Sequence, residues 1–300
     1  SSTTSLFEVI NRTKTAMGSR RLSDWMMQPL TDINIINQRL DAVSELISNW
    51  QVLEKLRAVF LEIRDLERLI SKITTLRASP KDIRMLADSI AHFSIIKEHL
   101  GNFKSSLFTR MYDEFETLPD LYQLLDAAIS EDAPLRVSDG GVFKNGYNQK
   151  LDELRSIANN SYDHLLRLEA NEKEKSGIGS LKIKYNSVFG YFIEVTKAHL
   201  DKVPDYFERR QTLANAERFV TDELKKFESE VLTSKARQLD LEKDLFNDLR
   251  DRLLDYVPQI EKSASVIAAL DVIQSLASIA SEKNYARPVF NNEGCLQINE

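Results

Sequence analysis

Apolar residues recur every three or four positions along most of this 300-residue chain, the spacing that gives an α-helix a single apolar stripe. The segments "DINIINQRLDAVSELISNW", "QVLEKLRAVFLEIRDLERLISKI" and "DIRMLADSIAHFSIIKEHL" each carry such a stripe and predict a packed helical body. Only Gly18 and Gly101 interrupt residues 1–139, so the elements there are expected to be long. Ser79, Pro80 and Asp82 spell a helix start by capping, by a preset backbone and by first-turn charge. Pro29 ends a helix because it cannot continue the backbone ladder. From Glu131 to Gln149 one proline and three glycines mark a long loop or crossing connection.

At "LKIKYNSVFGYFIEVTKAHL" (Leu181–Leu200) the period falls to two. Leu181, Ile183 and Tyr185 share one side, Lys182 and Lys184 the other, and alternation resumes at Tyr191, Ile193 and Val195, which predicts a hairpin joined by Asn186–Gly190. "YFERRQTLANAERFV" (Tyr206–Val220) offers one or two more strands, enough for a small stable sheet. Two long helical stretches bracket this element. Leu151, Leu154, Ala158, Ser161, Leu165 and Leu168 precede it; Leu232, Ala236, Leu239, Phe246, Leu249 and Leu253 follow it, both at coiled-coil spacing. At 1.5 Å per residue, Asn148–Lys175 reaches ~42 Å and Thr221–Val257 ~55 Å. An antiparallel pair of such arms, the second capped by Thr221, Asp222 and Glu223, would hold residues 177–220 away from the helical body. Leu181, Ile183, Tyr191 and Ile193 are read as the core of that sheet.

Charge changes the picture only locally. The net charge is −6, so no overall field recruits nucleic acid, yet residues 180–221 carry +2 against −8 elsewhere. A basic, amide-rich tip fits contact with phosphates; it equally fits a solvated face whose lysines guard sheet edges. One cysteine, Cys295, excludes a disulfide framework and reads as a small hydrophobe in a reducing cytoplasm. No run approaches the ~20 apolar residues of a membrane span and no signal peptide precedes the first helix, so no membrane partner is expected. Nucleotide-binding glycine loops and metalloprotease helices are absent. His92, His99, His164 and His199 are scattered, the first two seven apart on one predicted helix, and predict no metal site. Asp65 and Glu67 read as solvated or salt-bridged, and no catalytic residue emerges.

Seven stretches in order, "TKTAMGSRRLSDWMMQPL", "DLERLISKI", "RASPKDI", "DGGVFKNGYNQKLDELR", "GIGSLKIKYNSVFGYFIEVTK", "RRQTLANAERFVTDELKKFE" and "ALDVIQSLASIASEKNYARP", resemble the middle of the bacterial MutS family of mismatch-recognition proteins over essentially the whole chain. The resemblance implies a mainly α fold: a helical core with long antiparallel coiled-coil levers carrying a small antiparallel β-sheet clamp at the tip. It implies a first core and lever part over residues 1–161, a clamp over 162–221 and a second lever and core part over 222–300. In that family the clamps of a homodimer close over double-stranded DNA in the cytoplasm, touch its backbone without reading sequence, and work with other repair proteins. The residues matching the family's backbone contacts are Lys182, Lys184, Asn186, Arg209, Arg210, Gln211, Thr212 and Asn215. Many relatives have a lysine where this chain has Ala214, which removes one phosphate contact. Asn186 and Asn215 also suit turns that bond their own backbone. ATP and Mg belong to the family's ATPase domain, and mismatch reading to a domain with a Phe-x-Glu wedge. Both are expected to be absent here, so no cofactor is expected; "FLE" (Phe60–Glu62) matches the wedge only as a string, its Phe expected in a helix core. Hinges for the levers are expected at Gly140–Gly146 and near Pro258. A coiled-coil protein-interaction scaffold without DNA affinity is the alternative.

Overall fold

Many helices of this chain begin where a side chain satisfies an amide that lacks a backbone partner. The structure, a computed structural model, describes residues 5–186, 188, 190–291 and 297–298, without the side chains of residues 158–162. Cys295, Ala158, Ser161 and part of the Asn186–Gly190 turn therefore lie outside the described residues. The elements run α1 (Leu6–Ile10), α2 (Ala16–Met27), α3 (Ile33–Ser48), α4 (Trp50–Glu62), α5 (Leu66–Thr74), α6 (Pro80–Ile90), α7 (Phe93–Leu100), α8 (Ser106–Glu114) and α9 (Pro119–Ala128). Then follow α10 (Gln149–Ser176), β1 (Lys182–Asn186), β2 (Gly190–Thr196), β3 (Glu208–Thr212), β4 (Ala216–Val220), α11 (Asp222–Leu254) and α12 (Val257–Lys283). They divide into two compact units, Ser1–Arg136 with Asn247–Glu300, and Val137–Phe246.

The first unit is built around α12, which packs against α2, α3 and α5. Ile260, Ile267, Leu270 and Ile273 are fully buried, as are the polar Ser263, Asp271, Gln274 and Ser275 on other sides of the same helix, so α12 is enclosed all round. By length and composition it could cross a membrane, contrary to the expectation that no run comes close; 78% of its apolar window is buried in the unit, which makes it a core helix. Its polar groups are all answered. Ser275 Oγ accepts from Arg12 N (2.6 Å) and donates to the Ile10 carbonyl (3.0 Å). Ser263 does the same with Glu116 N and O. Asp271 receives Lys14 N, Thr15 N, Thr15 Oγ1 and Gln274 Nε2 at 2.6–2.9 Å. A Cβ at position 18 would stand 2.1 Å from Asp271 Oδ2, so only glycine fits beside this carboxylate.

Two of the stretches before residue 139 that were expected to form long helices are each divided into shorter ones. "QVLEKLRAVFLEIRDLERLISKI" breaks at Ile63–Asp65, where Asp65 accepts from Arg68 N and starts α5, and "DIRMLADSIAHFSIIKEHL" breaks at Ala91–His92, which separates His92 from the helix before it. Leu76 and Leu118 turn the chain with φ of 56° and 51°. The predicted starts and stops at Ser79 and before Pro29 are present, with Ser79 and Asp82 forming a reciprocal cap. Phe60 is fully buried in α4, as a core residue should be. Asp65 and Glu67 both take the Arg20 guanidinium, at 2.7 and 2.6 Å.

In the second unit, Asn148 caps α10 by accepting from Leu151 N (3.1 Å), and Gly177 (φ 66°) ends it. Thr221 caps α11 by accepting from Leu224 N. Arg155 and Glu242 join the two helices at 2.9 Å, and the rings of His164 and Phe227 meet at 5.2 Å. The Glu242 carboxylate, fully buried, also receives Gly141 N and Val142 N. The predicted apolar seam is discontinuous. Leu151, Leu168 and Phe246 are buried and Leu154, Leu165 and Leu239 half-buried, but Leu232 and Ala236 face solvent, with Leu232 53% exposed. The reason is that a heptad count ranks positions by spacing alone, while burial at these positions needs a facing side chain.

Candidate nucleic-acid interface

The alternation of the hairpin is realised as a four-stranded antiparallel sheet in the order β1-β2-β4-β3. Ile183 pairs with Ile193 and Ile193 with Phe219, while Lys182 pairs with Glu194 and Glu194 with Arg218, so each row is of one kind. The apolar row, with Val195, closes on Leu168, Leu181, Leu224 and Phe227. Tyr191 packs against this core, and Tyr185, at the strand end, is 59% exposed. The other face carries Lys182, Lys184, Asn186, Glu194, Arg218 and Gln211 by register.

That polar face is an internally paired network. Lys184 Nζ donates to Glu194 at 2.7 Å. Arg218 lies over the buried Phe192 ring at 4.2 Å, donates to Gln211 Oε1 at 2.8 Å and has its Nε 3.9 Å from Glu194. The arginine thus roofs an aromatic ring on the side of the sheet away from the core. Burial opposes charge on Glu169, but hydrogen bonds from Lys173 and Ile183 N and the charges of Lys173 and Lys182 hold its pKa below the ordinary value. The same Ile183 N bond (2.8 Å) occupies an amide of the edge strand β1 that would otherwise be open to a foreign strand. At the turn, Asn186 Oδ1 accepts from Val188 N (2.8 Å), the backbone-bonding role open to it from the sequence. Gly190 has φ 72°, and a Cβ there would lie 1.9 Å from Glu228 Oε1.

The second group of expected contacts is on β3 and its turn. Arg209 approaches Glu217 at 3.4 Å and is 63% exposed at its side chain. The β3–β4 register slips between Arg209 and Gln211, which places Arg210 in the irregularity, exposed and without an ion pair among the described residues. By register Arg209 and Thr212 stand opposite Phe219 and Glu217, on the other side of the sheet from Gln211. Thr212, Ala214 and Asn215 are exposed around the turn, with the Asn215 carbonyl accepting from Lys197 N. Strand order therefore sets Lys182, Lys184 and Asn186 on one edge and Arg209–Thr212 on the other, about 14 Å apart at three strand spacings. The sequence reading missed Arg218 as a member of the site; its pairing with Glu194 depends on β4 lying beside β2, which a period of two does not reveal. Among the described residues no three His, Cys, Asp or Glu side chains gather in a metal-binding group.

The family pattern described as "MutS domain III" matches residues 1–277. The chain is 44% identical over 95% of its length to the DNA mismatch repair protein MutS of Caldicellulosiruptor saccharolyticus, and 44% identical over 98% to that of Halothermothrix orenii. With the same protein of Clostridium botulinum (strain Hall) it shares 41% over 99%. In each case it spans about a third of the relative, 33%, 33% and 32% respectively.

Proposed function

The chain belongs to the MutS family, as a stretch of its domain III, and from that premise we propose that its four-stranded sheet rests on the phosphate backbone of duplex DNA without reading base sequence. The observation that carries this reading is the division of the sheet. One face is sealed on Leu168, Leu224 and Phe227, while the other and both edges offer Lys182, Lys184, Arg218, Gln211, Arg210 and the turn at Thr212–Asn215. Amides, hydroxyls and cations make up most of this surface, with the exposed Tyr185 ring near a strand end, and suit a repeating row of phosphates rather than unpaired bases. The relatives are named for DNA mismatch repair, which accords with such a partner.

In this proposal α10 and α11 act as coiled-coil levers and the sheet as a clamp, with hinges at Gly140–Gly146 and near Pro258. The clamp closes on DNA with a second copy in a homodimer, in the cytoplasm and alongside other repair proteins. A single copy binds weakly, because the paired clamp gains through effective concentration. Catalysis, ATP and Mg are assigned to parts of the full-length relatives outside this stretch. Small-angle scattering with and without duplex tests the levers, and an unchanged profile on binding removes them.

Titration of a labelled duplex at several salt concentrations tests the clamp itself. Binding falls steeply as salt rises, is indifferent to sequence, and weakens in Lys184→Glu and Arg210→Glu, each reducing the salt slope by about one. The Lys184–Glu194 pair is half-exposed, so its loss changes stability by less than about 1 kcal/mol and the variant stays folded. No binding at low salt, or variants that bind like the parent chain, overturns the clamp in favour of the scaffold reading.

A further inference from the structure

Several arginines of the first unit are held by carboxylates: Arg20 by Asp65 and Glu67, Arg84 by Asp88 and Asp126, Arg287 by Asp41. Three others gather at one place. Arg21 on α2, Arg39 on α3 and Arg110 on α8 converge on a concave pocket of about 320 Å³, and none of them makes an ion pair among the described residues. The Arg39 guanidinium lies over Trp25, 3.3 Å from the ring centroid, a contact that positions it while leaving its charge unneutralised. Among the described residues Arg21 donates to Ser265 Oγ, at 3.1 Å. Among the described residues the lining holds one carboxylate, the exposed Glu114.

We propose that this pocket binds a phosphate-class oxyanion. Three guanidiniums against one carboxylate leave two positive charges uncompensated, which matches a phosphate dianion better than a singly charged carboxylate. Guanidinium forks present paired N–H donors to oxyanions, and Ser265 adds a hydroxyl at the same wall. Burial and the neighbouring charges of Arg21 and Arg110 lower the pKa of Arg39, so an anion in the pocket relieves a repulsion already present. Leu107 and Met111 line the remainder and offer an apolar seat to an organic monoester.

Isothermal titration of the intact chain with inorganic phosphate, and in parallel with phenyl phosphate, tests the site. Trp25 fluorescence in a Trp50→Phe background locates the response. Saturable binding is expected with both probes. Tighter binding of phenyl phosphate assigns the site to phosphate monoesters, and equal binding assigns it to free phosphate. Arg110→Gln and Arg21→Gln each weaken binding at least about tenfold, whereas Arg77→Gln, at an exposed position between α5 and α6, leaves it unchanged. Absence of saturable binding, pocket variants that bind like the parent chain, or an equal loss in Arg77→Gln overturns the proposal. Circular dichroism of each variant separates lost binding from lost fold.

Discussion

Replacing Asp271 by alanine is the sharpest test of how the first unit is held. The side chain is fully buried and receives Gln274 Nε2 at 2.6 Å, Thr15 Oγ1 at 2.7 Å, Thr15 N at 2.8 Å and Lys14 N at 2.9 Å. Gln274 keeps the Arg12 carbonyl at 3.1 Å, and Thr15 Oγ1 still accepts from Gly18 N at 2.9 Å. The two backbone amides have no other acceptor at hand. Stranding a buried donor costs about 1–3 kcal/mol, so two of them, with the lost charge-assisted bonds, predict a destabilisation of about 3–5 kcal/mol. Urea unfolding followed by tryptophan fluorescence reads this directly, because Trp25 and Trp50, the only tryptophans, both lie in the first unit. Asp271→Asn keeps the shape and adds a sign test. Burial raises the Asp271 pKa above its ordinary 3.8, against its hydrogen-bond donors. A raised folded value means that the native state prefers the protonated acid. Its contribution is therefore full below the unfolded value and lost as pH rises through the folded one. The advantage of the parent chain over Asp271→Asn should shrink across that window. An Asp271→Ala loss below about 1 kcal/mol, or an advantage that grows with pH, refutes the reasoning.

Glu242→Ala should release Gly141 N and Val142 N and leave Arg155 with the Phe143 carbonyl as its nearest remaining acceptor. Hydrogen exchange at Gly141 and Val142 is expected to rise by at least about tenfold, and unchanged exchange would show that Glu242 does not fasten this connection. Gly190→Ala combines a left-handed backbone (φ 72°) with a clash against Glu228 and should destabilise the hairpin by about 1–2 kcal/mol, read from β1 and β2 amide exchange. Adding Glu228→Ala should restore only the steric part, and full restoration would mean that the backbone conformation carries no cost.

The strands were legible because one face is buried: Ile183, Ile193 and Val195 had to alternate with polar residues for the sheet to close on Phe227 and Leu224. Both ends of α10 and the start of α11 were legible because Asn148, Gly177 and Thr221 are local signals, whereas α11 stops at Leu254 and Pro258 lies in the first turn of α12. The breaks at Ile63–Asp65 and Ala91–His92 were not, since no glycine or proline marks them. The first is set by a side-chain cap on α5, and the second falls where the chain passes from α6, packed on α9, to α7, packed on α4 and α8, which three-four spacing cannot register. Leu76 and Leu118 at positive φ are the same kind of tertiary choice, each carrying a backbone cost that the surrounding structure meets.

The candidate interface was half legible for a related reason. Composition located its cations between residues 180 and 221, but what those cations can do depends on their neighbours across the strands. Lys184 is held by Glu194, Arg209 faces Glu217, and Lys225 of α11 reaches Glu208 on β3, so much of the basic character is spent inside the sheet. A phosphate approaching this surface must compete with carboxylates already within 2.7–3.4 Å of those cations. Arg210, in the register slip, faces no such competition among the described residues. A small net excess and pre-paired cations together favour a contact that is weak in one copy and indifferent to sequence. Those are the properties that the proposed clamp requires, and they arise from strand order rather than from the number of basic residues.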